Sequence, residues 1–438
     1  MDTHPLQCYI FIMPTISFPY GKGSLTYDIP DSRFRGELVS RIHHYKADKS
    51  QEELVREALE RPVGCPALRA MAEGKKEFVL IASDHTRPVP SKIIIPQMLE
   101  EIRRGSPDAN ITILVATGCH RETTREELEI KFGPEIMYRE KNVQIVIHDC
   151  DSPEMVSLGK LPSGGDLIIN KLAVETDLLM SEGFIEPHFF AGFSGGRKSV
   201  FPGIASRTAV VYNHNAEFIA HPAARTGIID GNPIHIDMLY AAREARLGFI
   251  CNVVLNASKE IIYAVAGDCD LAHKNGADFL LGKCQAAPAL ADIVISTNGG
   301  YPLDQNIYQA VKGMTAAEAT VREGGVIIQL ARSNDGHGAP EFHKTFVEEK
   351  DLDRMLDTFM RTPKESTRPD QWQSQIFARV LKHARVIYVS DAPDEIVRDF
   401  QMIPARSIEE AVKKAEEILR NPNATITAIP DGVSVMVG

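Results

Sequence analysis

Several things are scarce in this sequence. Its 438 residues include seven cysteines, at 8, 65, 119, 150, 251, 269 and 284. That odd number, with no C-x-x-C pair, argues against both a disulfide framework and a structural zinc site. Basic residues are outnumbered, 48 Lys and Arg against 59 Asp and Glu, for a net charge of -11. Such a chain lacks the long-range field that would draw it to nucleic acid or an anionic membrane surface, so neither is expected as a partner. Long apolar runs are missing too. The strongest near the start, 8–18, has no basic segment before it and is broken by Pro14, so it fits neither a signal peptide nor a membrane span, and a cytoplasmic protein is expected. There is no low-complexity tract and no short-period repeat. The one charge run, at 348–354, reads as a solvated face.

What is present is ordinary globular material, 44% apolar and 24% charged, long enough for two or more cores. Short β-branched runs at 78–82, 111–116, 143–147, 178–180, 249–255, 293–296, 326–330 and 386–389 read as strands buried on both faces. Helical patterns lie between them. One covers 91–104 and stops at Gly105; another opens on a capping box of Thr123 with Glu126, and a third on Ser407 with Glu410. The alternation predicts an α/β fold of two domains with mainly parallel sheets flanked by helices. The small residues and proline near 283–290 mark the junction. The expected division is an N-terminal domain over 1–285, a C-terminal domain over 286–424, and a run at 425–438 returning as a strand to the first domain.

Ligands of open parallel sheets bind beyond the carboxyl ends of the strands. Five polar loops follow predicted strands there: "SDHTRP" from Ser83, "TGCHR" from Thr117, "SEGFIEPH" from Ser181, "TNGGYPLDQN" from Thr297 and "ARSNDGHG" from Ala331. Five such loops point to one shared cleft, expected between the domains. Each residue also has a plainer explanation. Asp84 and Arg87 would serve as a loop ion pair, or Thr86, Ser91 and Arg87 as an anion site at the start of helix 91–104. His120 fits an ordinary surface histidine. His188, among aromatics and glycines, is harder to dismiss, and two histidines facing one cleft are what proton transfer at both faces of a carbon requires. "GFSGGRKS", from Gly192, fails the G-x-x-x-x-G-K-S phosphate-loop pattern. Lys198 beside Arg197 on a glycine-rich turn suits a reactive amine better. His214 and His221 are seven apart and would share a helical face as metal ligands, although no zinc-hydrolase spacing supports them. Tyr308 and Lys312, four apart with Gln309 beside them, form either a solvated helix face or a carboxylate clamp. Trp372 is core or pocket wall. Cys119 is a weak candidate for a catalytic thiol, lacking an orienting base at defined spacing.

Taken together, D-x-T-R-P at 84–88, the G-x-H-R loop at 118–121, E-P-H-F-F-A-G-F-S-G-G-R-K-S at 186–199, N-H-N at 213–215 and Y-Q-A-V-K-G at 308–313 closely resemble the nickel-pincer lactate racemase family, in the same order from about residue 80 to 375. The resemblance implies two α/β domains around a cleft. It also implies an isomerase that racemises or epimerises 2-hydroxy acids by reversible hydride transfer through a 2-keto acid. The implied cofactor is a twice-thiolated pyridinium mononucleotide holding nickel, attached covalently to Lys198, with His214 as a nickel ligand. His120 and His188 become the proton-transfer pair. Asp84, Thr86 and Arg87, the glycines Gly195 and Gly196, and Trp372 fall to the cofactor; Arg87, Tyr308, Gln309 and Lys312 fall to the substrate. His85 has no assigned place. A dicarboxylic substrate would need a further cation such as Arg121, Arg197 or Arg332. Implied partners are a small 2-hydroxy acid and the enzymes that make the cofactor, and self-association is left open. The rival readings are a zinc or Schiff-base lyase using Lys198, and a protein that binds the cofactor without catalysis.

Overall fold

The protein is described here by a computed structural model that covers residues 14–438, the side chain at position 43 excepted. The start of the 8–18 run therefore lies outside the described residues. Among the described residues no helix is long and apolar enough to cross a membrane.

The described chain divides into two compact units, one of residues 41–284 with 358–372, the other of residues 14–40 with 285–357 and 373–438. In the first, six strands lie in the order Ile261–Gly267, Leu247–Leu255, Leu178–Phe184, Glu77–Ser83, Asn110–Ala116 and Val143–Ile147. All pairs are parallel except the edge hairpin of 247–255 with 261–267. Phe78, Leu80, Ile113, Val115 and Met180 are essentially sealed from solvent beneath Ile94, Met98 and Ile102 of helix Ser91–Gly105. Burial of each such side chain is worth about 1.5–3 kcal/mol.

The second unit has a fully parallel sheet in the order Ile403–Ala405, Arg385–Val389, Val321–Leu330, Ala291–Thr297, Ile426–Ile429 and Phe34–Glu37. Its last two strands depart from the expected division. Ile426 pairs with both Ile293 and Phe34, so the C-terminal run joins the second unit's own sheet, and strand Phe34–Glu37 joins it there. The four-residue strand "FRGE" carries too little apolar pattern to be recognised on its own. The predicted capping box is displaced by one: Thr124 caps helix Arg125–Tyr138 with Glu127, which frees Thr123 for another contact. At 407, Ser407 accepts from the Glu410 amide, but the Glu410 carboxylate takes the Arg406 N–H instead of closing the box.

Candidate active site

The strands 77–83 and 110–116 run in parallel register, Ser83 opposite Ala116, so the loops leaving their carboxyl ends begin side by side. The first loop carries Asp84. Its carboxylate is 1% exposed and accepts from the Thr86 N–H and hydroxyl at 3.1 and 2.6 Å. Its other oxygen accepts from His120 Nδ1 at 2.7 Å. Burial pushes this carboxyl up, but the hydrogen bond and charge of His120, with Thr86 and Arg87, outweigh it and hold the group at about 2. An ionised carboxylate only accepts, so Nδ1 of His120 must donate. In the neutral ring Nε2 then carries the lone pair. The expected Asp84–Arg87 ion pair is replaced by this acid–histidine pair. The His120 loop is anchored from below by Thr117 Oγ1 donating to the His148 carbonyl at 2.6 Å and by the Gly118 N–H donating to Gly203 at 2.9 Å.

Gly203 in turn donates to the Lys198 carbonyl at 3.1 Å, which ties that loop to the glycine-rich turn. Beyond strand 178–184 the chain makes a short hairpin, Pro187–His188 against Gly192–Phe193, then a 3-10 turn, Gly196–Ser199. The Ala191 N–H donates to His188 Nδ1 at 3.2 Å, so that nitrogen accepts. Lys198 Nζ lies 3.5 Å from Nε2 of the same ring and 5.8 Å over the Phe190 ring. The Nδ1 atoms of the two histidines thus meet partners of opposite polarity, a carboxylate at His120 and a backbone N–H at His188.

His214 ends helix Arg207–Asn213 and is 5% exposed. Its ring packs edge-on to Phe190 at 5.2 Å and Trp372 at 5.0 Å. Burial, then the Lys198 charge, push its pKa down to about 3. Nδ1 donates to the Val210 carbonyl at 3.0 Å, and the remaining nitrogen of this neutral ring has the lone pair a metal ligand needs. The expected His214–His221 face does not form, because the helix stops at Asn213 and His221 caps a separate helix, Ala216–Ala220, exposed to solvent.

Arg197 does not behave as the sequence suggested. Its guanidinium is fully buried and donates to the carbonyls of Ala191, Phe193 and Gly195 and to His235 Nδ1, at 2.7 to 3.3 Å. It fastens the hairpin to the turn and is not available to a substrate carboxylate. Gly195 and Gly196 have φ of 78° and 54°. A Cβ on Gly195 would meet Asn252 at 2.8 Å and on Gly196 would meet His273 at 2.8 Å, so packing alone demands both glycines. Of the other cations considered, Arg121 is engaged by Glu127 and Arg332 by Asp391. Cys119 is no nucleophile at neutral pH, since burial and then Cys150 push its thiol up to about 12.

In the other unit, Tyr308, Gln309 and Lys312 lie on helix Ile307–Glu318, capped by Asn306. Tyr308 stands edge-on to Phe342 at 5.5 Å, and its carbonyl accepts from Gln373 at 2.6 Å.

Sequence reasoning missed Glu182 and Lys131. Glu182, 2% exposed, accepts from the Ser83 N–H and hydroxyl at 2.9 and 3.0 Å. Lys131 is buried, its pKa lowered by that burial against the pull of the Glu182 and Asp84 charges. The signal was there: Lys131 interrupts the apolar stripe Leu128, Phe132, Ile136, and Glu182 interrupts an otherwise small and apolar strand.

Comparison with known proteins agrees with this architecture. The lactate racemase N-terminal domain model matches residues 20–227 and the lactate racemase C-terminal domain model residues 286–437. A lactate racemase from Thermoanaerobacterium thermosaccharolyticum is 52% identical over 97% of this chain and 99% of its own. One from Lactiplantibacillus plantarum is 52% identical over 97% of this chain and all of its own (100%). The structure of the Thermoanaerobacterium lactate racemase apoprotein superposes with a TM-score of 0.93 at 51% identity, covering 97% of this chain and 100% of that one. A Thermotoga maritima protein at 20% identity and TM-score 0.65, covering 90% of this chain and 100% of its own, shares the fold. The chain belongs to the lactate racemase family and is an isomerase.

Proposed function

We propose that this chain is a nickel-pincer nucleotide-dependent racemase acting on lactate or a closely similar 2-hydroxy acid, with His120 and His188 as its proton-transfer pair. One observation carries the reading: a buried carboxylate accepts from Nδ1 of His120 and leaves its Nε2 as the proton acceptor, while a backbone N–H donates to Nδ1 of His188, which leaves its Nε2 to carry the proton once the Lys198 amine is taken up in the cofactor linkage. A racemase working by hydride transfer must take the hydroxyl proton on one side of its substrate and return one to the carbonyl oxygen on the other. A pair of imidazoles in opposite tautomers suits that exchange, and reversing both roles runs the opposite enantiomer.

The residues present suit the implied cofactor. Lys198 would tether it, its amine lying beside His188. His214 would ligate nickel through the nitrogen left by its bond to Val210. Asp84, Thr86, Arg87, Gly195, Gly196 and Trp372 would line it, and Arg87 with Tyr308, Gln309 and Lys312 would hold the substrate carboxylate and hydroxyl. When bound, the cofactor supplies a carbon that takes up and returns the substrate's α hydride, a route open where direct loss of a proton beside a carboxylate is not. His120 takes the hydroxyl proton, Asp84 stabilises the imidazolium that results, and His188 acts in the opposite direction. The cofactor would come from its own biosynthetic enzymes.

The test is protein co-expressed with those enzymes. An intact-mass adduct on Lys198 containing nickel and two sulfurs, together with interconversion of D- and L-lactate in a chiral assay, is the expected result. His120→Ala and His188→Ala should each lower turnover by at least ~100-fold with nickel still bound. Zinc without an adduct would favour the lyase, and loaded protein inactive on every 2-hydroxy acid would favour storage.

A further inference from the structure

Neither the motifs nor the family resemblance gives His85 a role. It follows Asp84 on the first loop, and its ring is largely withdrawn from solvent, with 12% of the side chain exposed. Nδ1 of that ring lies 3.0 Å from the hydroxyl of Thr123 and 3.8 Å from a carboxylate oxygen of Glu127. Thr123 is 1% exposed and directly precedes Thr124, the cap of helix Arg125–Tyr138, whose capping box is closed by Glu127. The ring is therefore fastened to the first turn of a helix.

This contact mirrors the one beside it. His120 reaches from the second loop back to Asp84 on the first, while His85 reaches from the first loop forward to Thr123 on the second. The segment before His120 is anchored independently, through Thr117 and Gly118. The segment after it, 121–124, is held to the first loop by the His85–Thr123 contact. Arg121 pairs with Glu127 inside its own loop and helix, so that pair does not fix where the loop lies relative to Asp84. Asp84 and His120 stay in register only if both sides of the second loop stay put.

We propose that His85 is a positioning residue, a strut that locks the His120 loop to the Asp84 loop so that Nε2 of His120 is presented in one place. The proposal rests on the reading of His120 as acid–base group. A displacement of about 1 Å at a catalytic group can cost ~100-fold in rate, so loosening one of the loop's several anchors is expected to cost ~10-fold.

The experiment uses His85→Ala, His85→Asn and Thr123→Val in the full chain, with turnover of the loaded enzyme and histidine ring NMR of the unloaded protein. Expected are a ~10-fold fall in kcat with KM within ~2-fold for His85→Ala, substantial recovery in His85→Asn, whose amide can replace Nδ1, and a double variant with Thr123→Val no worse than either single one. The His120 ring signal should shift or broaden in His85→Ala while that of His188 stays. Turnover within ~2-fold of wild type would overturn the proposal. So would a loss that is additive with Thr123→Val and not relieved by asparagine, since the ring would then act on the substrate directly. If wild-type protein racemises nothing, the proposed function fails, and the NMR comparison still decides whether His85 fixes His120.

Discussion

At the scale of single residues, the chemistry is set by what each side chain can donate or accept. Asp84 fixes the tautomer of His120 because its carboxylate, held at about 2, has no proton to give. Asp84→Asn presents an amide that can donate, which lets the ring turn its lone pair inward. Turnover should fall by ~100-fold or more while the fold survives, with a circular dichroism spectrum like that of the wild type. The same carboxylate links stability to pH. Its folded pKa lies below its unfolded value of 3.8, so its contribution is complete above about pH 4 and is lost as the pH falls toward 2. The amount is roughly 2 kcal/mol. Acid titration of the unloaded protein should show a shallower loss of stability in that window for Asp84→Asn than for wild type. Identical curves would remove the linkage. These residues were visible in the sequence as a polar cluster, but their pairing was not, because the sequence does not say which neighbour an aspartate will face.

At the scale of elements, the turn carrying Lys198 is specified by backbone conformation and by a buried cation. Gly196 sits at φ 54° with the His273 ring 2.8 Å from where a Cβ would be. Gly196→Ala therefore meets both left-handed strain and a collision, and should lower stability by ~2 kcal/mol or more, read as a fall in Tm of several degrees. An unchanged Tm would mean that the turn relaxes freely. Arg197 adjoins Lys198 in sequence, which invited a role as an electrostatic partner or substrate cation. The structure turns it into the core instead, where carbonyls of the hairpin take up its donors. The strands were legible because parallel strands are apolar on both faces. The short edge strand Phe34–Glu37 and the three-residue Ile403–Ala405 were not, because edge pairing needs little hydrophobic pattern.

At the scale of the whole molecule, the chain crosses between its two units four times, and the segment 358–372 completes the unit that holds His188, Lys198 and His214. Lys364 pairs with Glu217 at 2.8 Å and lies over the Phe218 ring at 4.9 Å, and Trp372 covers His214. A fragment of residues 41–284 should accordingly melt ~5 °C below the same fragment joined by a short linker to 358–372, since losing ~2 kcal/mol of packing shifts a unit of this size by that much. Equal melting temperatures would show that the segment adds nothing. The sequence by itself determined the α/β class, the strand order along the chain, the resemblance to one family and the identity of the polar loops, because hydrophobic period and residue chemistry are local properties. Which histidine nitrogen donates, which arginine is buried, where residues 14–40 go and what His85 touches were decided only by the tertiary structure. Each depends on which atoms distant segments bring within about 3 Å of one another, and no local pattern encodes that.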